Sequence, residues 1–132
     1  MDRNRITPEN IKQLMADEIF VFGSNGQGLH YGGAALAAYR HYGAVLGQGT
    51  GLQGRSYAIP TMEGGVETIR PYVDEFIAFA GQHPQLHFLV TRIGCGIAGF
   101  TPKEIAPLFE HAKQVKNISL PEDFWKVIGE PR

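Results

Sequence analysis

Short runs of consecutive apolar residues alternate along the chain with longer segments in which apolar residues recur every three or four positions. Continuous apolar runs bounded by glycine, proline or polar residues are typical of strands that a sheet buries on both faces. Strands are predicted at residues 19–22, 56–60 and 86–91, with a final edge strand at 117–120. Helices are predicted at residues 8–15, 33–42, 67–81 and 102–112, whereas the glycine-rich residues 47–54 are predicted to form a loop.

Several of the predicted helices carry recognisable starting signals. Thr7 and Pro8 are typical of an N-cap and a first helical residue. Thr101 and Glu104 match a capping box before the last helix. The alanine-rich sequence that begins at Gly33 has high helix propensity, and its small side chains allow close packing on a sheet.

The predicted elements alternate in the order α, β, α, β, α, β, α, β. This order favours an α/β protein, a three-layer α/β/α sandwich with a mixed central sheet. In open α/β sheets, ligands bind at the carboxyl ends of the strands. With 132 residues and no linker, internal repeat or low-complexity tract, the chain is predicted to form a single domain over residues 1–132.

The composition argues against several classes of protein. Apolar residues make up 43% and charged residues 19%, and the net charge of −1 provides no electrostatic field for DNA, RNA or an anionic membrane. No apolar run is long enough to span a bilayer, and the first residues lack the apolar core of a signal peptide. A cytoplasmic location is expected, and the single cysteine, Cys95, fits a reducing compartment.

Two glycine-rich stretches carry the candidate chemistry. The first covers residues 23–33 and the second covers residues 94–100, and each follows a predicted strand and precedes a predicted helix. Glycine permits positive φ and lets a ligand approach the main chain, while the N terminus of a following helix offers free N–H groups to an anion. Two such loops in one small domain predict a single ligand that carries two phosphates, or a phosphate and a sugar.

The first loop departs from the common nucleotide-binding motifs. It lacks the Lys-Ser/Thr ending of a P-loop, and the spacing of Gly23, Gly26 and Gly28 differs from the dinucleotide fingerprint. Asn25 can donate and accept hydrogen bonds at once, which suits a pair of sugar hydroxyls, and His30 can hold a phosphate or polarise a water. Alternatively, Asn25 supplies a left-handed turn conformation and His30 caps or lines the loop.

The second loop follows an arginine and contains the cysteine. Arg92 at the end of its strand can either pair with a carboxylate inside the fold or face the ligand. Cys95 would need a nearby base and a lowered pKa to act as a nucleophile, and the sequence shows neither, so a small side chain that fits between two glycines is the favoured interpretation. His83 and His87 have the spacing of metal ligands, but Pro84 prevents the helix that would align them, and no metal site is predicted.

In both loops the chain resembles a macrodomain, the α/β module that binds ADP-ribose. Residues 92–97, Arg-Ile-Gly-Cys-Gly-Ile, are similar to the branch of terminal ADP-ribose glycohydrolases that remove ADP-ribose from acidic residues or DNA bases. Residues 32–35, Gly-Gly-Ala-Ala, and the sequence from there to Gly43 are similar to the first substrate loop and helix of that branch. The resemblance covers residues 19–109, and it extends to a group of small bacterial and phage proteins with the same Phe-Gly-Ser-Asn and Gly-Cys-Gly sequences.

The resemblance implies a function and a set of ligand-binding residues. It implies that the first loop holds the distal ribose, with Asn25 near it, and that the second loop wraps the diphosphate. The predicted ligand-binding residues are Gly23, Ser24, Asn25, Gly32, Gly33, Ala34, Arg92, Gly94, Cys95, Gly96, Ile97, Ala98, Gly99 and Phe100. The expected partner is a nucleotide such as ADP-ribose, or a macromolecule that carries it, and no cofactor is predicted.

The chain departs from the resembling branch at residues on which its catalysis depends. Ala98 stands where that branch has an acidic residue, and Thr61 or Met62 stands where it has a lysine. The family's aspartate for adenine also lacks a counterpart. Three functions stay open: hydrolysis of an ADP-ribosyl linkage with Asn25 and His30 as catalytic residues, binding of ADP-ribose without chemistry, and a structural module in which the glycines serve only turns.

Overall fold

The structure, a computed structural model, describes residues 5–130 and shows an α/β fold built on a mixed five-stranded sheet. Four strands, β1, β3, β4 and β5, pair in parallel, whereas β2 pairs antiparallel with β3, and the spatial order is β2-β3-β1-β4-β5. The strands are β1 (Glu18–Ser24), β2 (Gly51–Gln53), β3 (Ser56–Pro60), β4 (His87–Val90) and β5 (Ile118–Ser119). The predicted α/β class and mixed sheet are confirmed.

Four α-helices and one 3₁₀ helix connect or follow these strands. They are α1 (Gly33–His41), α2 (Val66–Gly81), α3 (Pro102–Ile105), the 3₁₀ helix (Ala106–Gln114) and α4 (Glu122–Ile128). The helix predicted at 102–112 is therefore α-helical only in its first turn. Pro107 explains the change, because proline has no N–H to donate and its ring clashes with the carbonyl four residues earlier.

Alternate side chains of the central strand β1 enter two different core clusters. Ile19 and Val21 belong to the larger cluster, which also contains the buried residues of α2, the 3₁₀ helix and α4. Phe20 and Phe22 belong to the smaller cluster, which contains the buried residues of α1. Successive strand residues point to opposite faces of a sheet, so β1 is buried on both faces, as its continuous apolar sequence predicts.

The helix predicted at residues 8–15 is absent, and this prediction is wrong. The residues just before it form a β-bridge, in which the Thr7 N–H donates to the Leu120 carbonyl at 2.9 Å and the Leu120 N–H donates to the Arg5 carbonyl at 3.1 Å. The buried side chain of Trp125 also holds this segment, because the Trp125 Nε1 donates to the Arg5 carbonyl at 2.7 Å. Such a short segment cannot recover the cost of helix nucleation when its neighbours hold its start in an extended form.

Two further elements differ from the sequence predictions. Residues 47–54 include the short strand β2, which was expected to be part of a loop. A two-residue hairpin turn, Gly54-Arg55, makes this pairing feasible, because Gly54 has a φ of 61° that suits the first position of a type II′ turn. Helix α4 also lies beyond the predicted elements, in a segment too short to show a full hydrophobic period.

Candidate functional site

The two glycine-rich loops lie side by side, because they follow β1 and β4, which are neighbouring parallel strands. We define loop 1 as residues 25–32, between β1 and α1, and loop 2 as residues 91–101, between β4 and α3. A cavity of about 460 Å³ separates the loops and is called the main cleft below. It opens at the carboxyl end of the parallel strands, where the fold class predicts a ligand.

Most of the residues predicted to bind the ligand line the main cleft. They are Gly23, Ser24, Asn25, Gly32, Gly33, Ala34, Arg92, Gly94, Gly96, Ile97 and Ala98. The predicted set also includes Cys95, Gly99 and Phe100, which do not line the cleft. Cys95 and Phe100 pack against the larger core cluster, and the Gly99 N–H donates to a carbonyl of its own loop. These three residues shape loop 2 without facing the cavity.

Helix α1 presents an N terminus without a side-chain cap to the main cleft. Its N-cap residue is Gly32, which has no side chain to offer, and the residues of its first turn line the cavity. The first N–H groups of an α-helix have no partner inside the helix, and the helix dipole makes that end positive. The first loop therefore leads into a helix N terminus without a side-chain cap, the kind of terminus that can accept an anion.

Loop 2 contributes backbone N–H groups that have no hydrogen-bond acceptor among the described residues. Internal backbone bonds, such as the one from the Phe100 N–H to the Gly94 carbonyl at 2.8 Å, close the loop into tight turns. The N–H groups of Gly96, Ile97 and Ala98 donate to no acceptor among residues 5–130, and all three residues line the cleft. Consecutive free amides in a turn form a concavity that suits an anion.

Helix α3, which follows loop 2, does not add a free N terminus to the cleft. Thr101 and Glu104 form the predicted capping box, in which the Glu104 carboxylate accepts from the Thr101 N–H at 2.9 Å. The N–H groups of Glu104 and Ile105 donate to the Thr101 carbonyl, and the residues at the start of α3 lie outside the cleft lining. The expectation that both loops are followed by a free helix terminus is therefore correct for α1 and wrong for α3.

Asn25 lines the cleft while its amide group holds loop 1 closed. Its Oδ1 accepts from the Leu29 N–H at 2.9 Å, and its Nδ2 donates to the Leu29 carbonyl at 3.1 Å. Every described residue with positive φ is a glycine, so the interpretation of Asn25 as a left-handed turn residue is wrong. One Nδ2 hydrogen and one Oδ1 lone pair are left over for a ligand.

His30 is fully buried and lies outside the cleft lining. Its Nε2 lies 2.9 Å from the Val45 carbonyl and 3.1 Å from the Gln48 carbonyl. Its ring packs edge-on against Phe22, with the ring centroids 5.2 Å apart. Of the two interpretations of His30, the structure agrees with the one in which it lines the loop. The side chain of His30 is not part of the cavity lining.

The thiol of Cys95 has an environment that disfavours the thiolate. Burial, and after it the charge of Asp123, raises the pKa of Cys95, while the charge of Arg92 lowers it by less. A nucleophilic cysteine needs a lowered pKa. The interpretation of Cys95 as a small residue that fits between glycines agrees with this environment.

Arg92 lies at the junction of the main cleft with a second cavity. Its Nε lies 3.0 Å from an Asp123 carboxylate oxygen, and its Nη2 lies 3.6 Å from a Glu9 carboxylate oxygen. Both pairs are largely exposed and therefore weak. Arg92 thus pairs with carboxylates at the surface, not with one inside the fold, and it also lines the cleft.

The second cavity, called the adjoining cavity below, has a volume of about 680 Å³. It lies between the N-terminal segment and the start of α1, and it shares Gly33, Ala34, Thr91 and Arg92 with the main cleft. Phe20 is part of its lining, and Glu9 is a carboxylate at its edge. The shared residues show that the two cavities are adjacent, and together they are called the groove below.

Several cleft residues are not found by the sequence motifs. Leu29 and Tyr31 line the main cleft and lie inside the first glycine-rich stretch, but they are not among the predicted ligand-binding residues. Thr61, Met62 and Thr91 also line it and lie outside both stretches. Thr61 and Met62 follow β3, the neighbour of β1 on the other side, and strand order is not visible in the sequence. The side chain of Tyr31 is 69% exposed.

Metal-ligating clusters and membrane-spanning helices are both absent from the described residues. Residues 5–130 contain no group of three or more His, Cys, Asp or Glu side chains that could hold a metal ion. None of the helices described here is long and apolar enough to cross a membrane. Comparison of the chain with protein-family models, with curated proteins and with solved structures gave no match.

Proposed function

We propose that this protein binds ADP-ribose, or a group that carries it on a macromolecule, in the groove at the carboxyl edge of the sheet, and that its layers form a macrodomain-like α/β/α sandwich. One observation carries the proposal. The uncapped N terminus of α1 and the free amides of Gly96, Ile97 and Ala98 line the same cleft. This arrangement supplies donors to a diphosphate from two sides without a metal or a lysine.

The remaining parts of the ligand have places along the same groove. A ribose beside loop 1 reaches the unused amide hydrogen and lone pair of Asn25. The base lies in the adjoining cavity, where the apolar side chains of Phe20 and Ala37 contribute to the lining. The cavities of about 460 Å³ and about 680 Å³ have the size of ordinary ligand pockets.

Binding without hydrolysis is the form of the function that the side chains favour. Within the described residues, the lining of the main cleft includes no carboxylate, imidazole, thiol or lysine. General acid–base catalysis most often uses such a group within hydrogen-bond distance of the reacting atoms, and the one phenol of the lining, that of Tyr31, is 69% exposed. His30 is buried outside the cavity, and the Asn25 amide cannot take up a proton. We therefore propose a binding module and assign no catalytic residue.

Calorimetric titration with ADP-ribose tests the proposal, using Gly96→Val and a matched control. At Gly96 an added Cβ meets no heavy atom within 4 Å and φ lies outside the left-handed region, so the variant is expected to fold. Gly65→Val changes another unhindered glycine, which lies at the start of α2 away from the cleft. We expect binding by the wild type and Gly65→Val, and weakened binding by Gly96→Val. No heat of binding with the wild type at millimolar ADP-ribose would exclude the proposal.

A second assay separates binding from hydrolysis. The protein is incubated with an ADP-ribosylated polypeptide, and released ADP-ribose is measured for the wild type and for Asn25→Ala. We expect retention of the modified polypeptide and no release by either protein. Release by the wild type that Asn25→Ala abolishes would show instead that the cleft is catalytic.

A further inference from the structure

A set of buried polar groups connects the edge strand β2 to loop 1. It consists of the side chains of Gln53 and His30 and the backbone of Val45 and Gln48 that lies between them, and it is called the buried relay below. Gln53 is 4% exposed and His30 is 0% exposed. Neither side chain lines the main cleft or the adjoining cavity.

Gln53 fixes the segment that follows α1. Its Oε1 accepts from the Val45 N–H at 2.7 Å, and its Nε2 donates to the Gln48 carbonyl at 3.2 Å and the Gly51 carbonyl at 3.3 Å. One side chain therefore holds two backbone positions of the irregular segment between α1 and β2, and a third position at the start of β2. Because both the Oε1 and the Nε2 of Gln53 are hydrogen-bonded to this segment, Gln53 fixes the orientation of its carbonyl groups.

His30 uses two of those carbonyls to hold loop 1. Its Nε2 contacts the carbonyls of Val45 and Gln48, and since both are acceptors, Nε2 carries the hydrogen. The other ring nitrogen, Nδ1, is buried without a hydrogen-bond partner. An unpaired buried acceptor costs free energy. The position of the imidazole therefore satisfies Nε2 and leaves Nδ1 without a hydrogen bond.

Loop 1 lies directly on the backbone that the relay fixes. An added Cβ at Gly49 would lie 2.2 Å from the Asn25 carbonyl oxygen, and one at Gly28 would lie 2.3 Å from the Gln48 nitrogen. The Gly47 N–H donates to the Gly28 carbonyl at 3.0 Å, so the two backbones are bonded as well as in contact. A shift of residues 45–49 would therefore move loop 1, including Asn25 at the cleft.

We infer that His30 and Gln53 are positioning residues for the cleft: they act through the backbone of residues 45–49 and set the geometry of loop 1 without touching the ligand. This inference rests on the proposed function, because the geometry that it explains is that of the ADP-ribose site. Loop 1 is then held in place by two side chains in addition to its glycines: Gln53 on the edge strand β2, and His30 in the loop itself.

Two substitutions at His30 test the inference by loss and rescue. His30→Leu removes the donor and leaves two carbonyls without it, whereas His30→Gln places an amide nitrogen near the position of Nε2. We expect His30→Leu to weaken ADP-ribose binding about tenfold, by analogy with the loss of one buried hydrogen-bond partner, and His30→Gln to restore most of it. His87→Leu is the control, since His87 is equally out of contact with the cleft and is 4% exposed.

A loss of stability alone would affect His30→Leu and His87→Leu alike, so the midpoint of urea unfolding is measured for each variant. Weaker binding by His30→Leu than by His87→Leu at concentrations where both are folded supports positioning. Equal affinity of the wild type and folded His30→Leu overturns it, while the proposed function stands. Gln53→Met, which keeps the side-chain volume but not the hydrogen bonds, is the second variant and has the same two outcomes.

Amide hydrogen exchange without ligand decides the inference even if the wild type does not bind ADP-ribose. Exchange at Gly28 and Leu29 in loop 1 is compared with exchange at Leu89 in β4, in the wild type and in Gln53→Met. Faster exchange in loop 1 with unchanged exchange in β4 supports the inference. Unchanged exchange in loop 1 overturns it. Absence of ADP-ribose binding by the wild type, by contrast, removes only the proposed function.

Discussion

Loop 1 and loop 2 begin as the same sequence signal, a glycine-rich stretch after a buried strand, and they offer backbone donors to the cleft in different ways. Loop 1 leads into a helix whose N terminus has no side-chain cap, and it depends on residues 45–49 for its position. Loop 2 is closed by its own backbone bonds, and the helix after it is capped by Thr101 and Glu104. Loop 1 is thus bonded to a distant backbone segment, whereas loop 2 is closed by its own backbone bonds and packs against the larger core cluster.

The difference shows that a glycine-rich loop after a strand does not by itself specify how an anion would be bound. In loop 1 the donors are those of a helix terminus, which are free because Gly32 cannot cap them. In loop 2 the donors are those of the turn itself, because the start of α3 does not line the cleft. The identity of the residue before each helix, glycine or threonine, distinguishes the two cases.

Gly49→Ala is expected to have the largest effect and to show that loop 1 depends on its support. The new Cβ would lie 2.2 Å from the Asn25 carbonyl oxygen and 2.8 Å from the Gly26 carbonyl oxygen, so the two backbones must separate. We expect the free energy of unfolding to fall by about 3 kcal/mol, measured by urea denaturation. Gly81→Ala, where nothing lies within 4 Å of the new Cβ, is the control. A similar stability for both variants would contradict the dependence of loop 1 on residues 45–49.

Gly94→Ala tests how tightly loop 2 packs against Ile105 of helix α3. Gly94 has a φ of 73°, and a Cβ there would lie 3.0 Å from the Ile105 Cδ1. Gly99→Ala is the matched control, since Gly99 has a φ of 82° but no heavy atom within 4 Å of the new Cβ. Both variants should lose about 1–2 kcal/mol of stability from the left-handed backbone, and Gly94→Ala should lose more because Ile105 must move. Equal losses would show that the contact with Ile105 is easily relieved.

Gly32→Asp converts the start of α1 into a capped helix like α3 and should remove the difference between the loops. The N-cap backbone is extended, with a φ of −153°, and the one close neighbour of a new Cβ is the flexible end of Ile97 at 3.2 Å. We expect the aspartate to stabilise the protein by a few tenths of a kcal/mol, measured by thermal unfolding. The same carboxylate occupies the free amides and repels a diphosphate, so ADP-ribose affinity should fall at least about tenfold.

Gly65→Asp provides the control for that experiment. Gly65 is the uncapped N-cap of α2, and it does not line the main cleft. The control should gain a similar stability with no change in affinity. If Gly32→Asp binds ADP-ribose as well as Gly65→Asp does, the start of α1 is not part of the binding site.

The smallest expected effect concerns the thiol of loop 2. Because burial and the charge of Asp123 raise the pKa of Cys95, the thiolate fraction near neutral pH is smaller than that of a free cysteine. Alkylation by iodoacetamide, followed by mass spectrometry, should therefore be slower than that of a model peptide and should speed up as the pH rises. A faster reaction than that of the peptide would indicate an activated cysteine and reopen a nucleophilic role.

Elements with a strong local signal are predictable from the sequence, and so is the edge of the sheet at which the loops meet. The apolar run of β1, the alanines of α1 and the capping box of Thr101 all act over a few residues. The support of loop 1 is different, because His30 contacts carbonyls 15 and 18 residues further along the chain. No local pattern encodes such a pairing, and the extended N-terminal segment escapes prediction for the same reason, since Thr7 bonds to Leu120.

The central claim is that free backbone amides from both loops bind the diphosphate of ADP-ribose. Amide chemical shifts of ¹⁵N-labelled protein, recorded during titration with ADP-ribose, test it residue by residue. The account predicts saturable shifts at Gly33 and Ala34 in α1 and at Gly96 and Ile97 in loop 2, with little change at Thr101. Shifts confined to one loop, or shifts only at residues outside the groove, would contradict it.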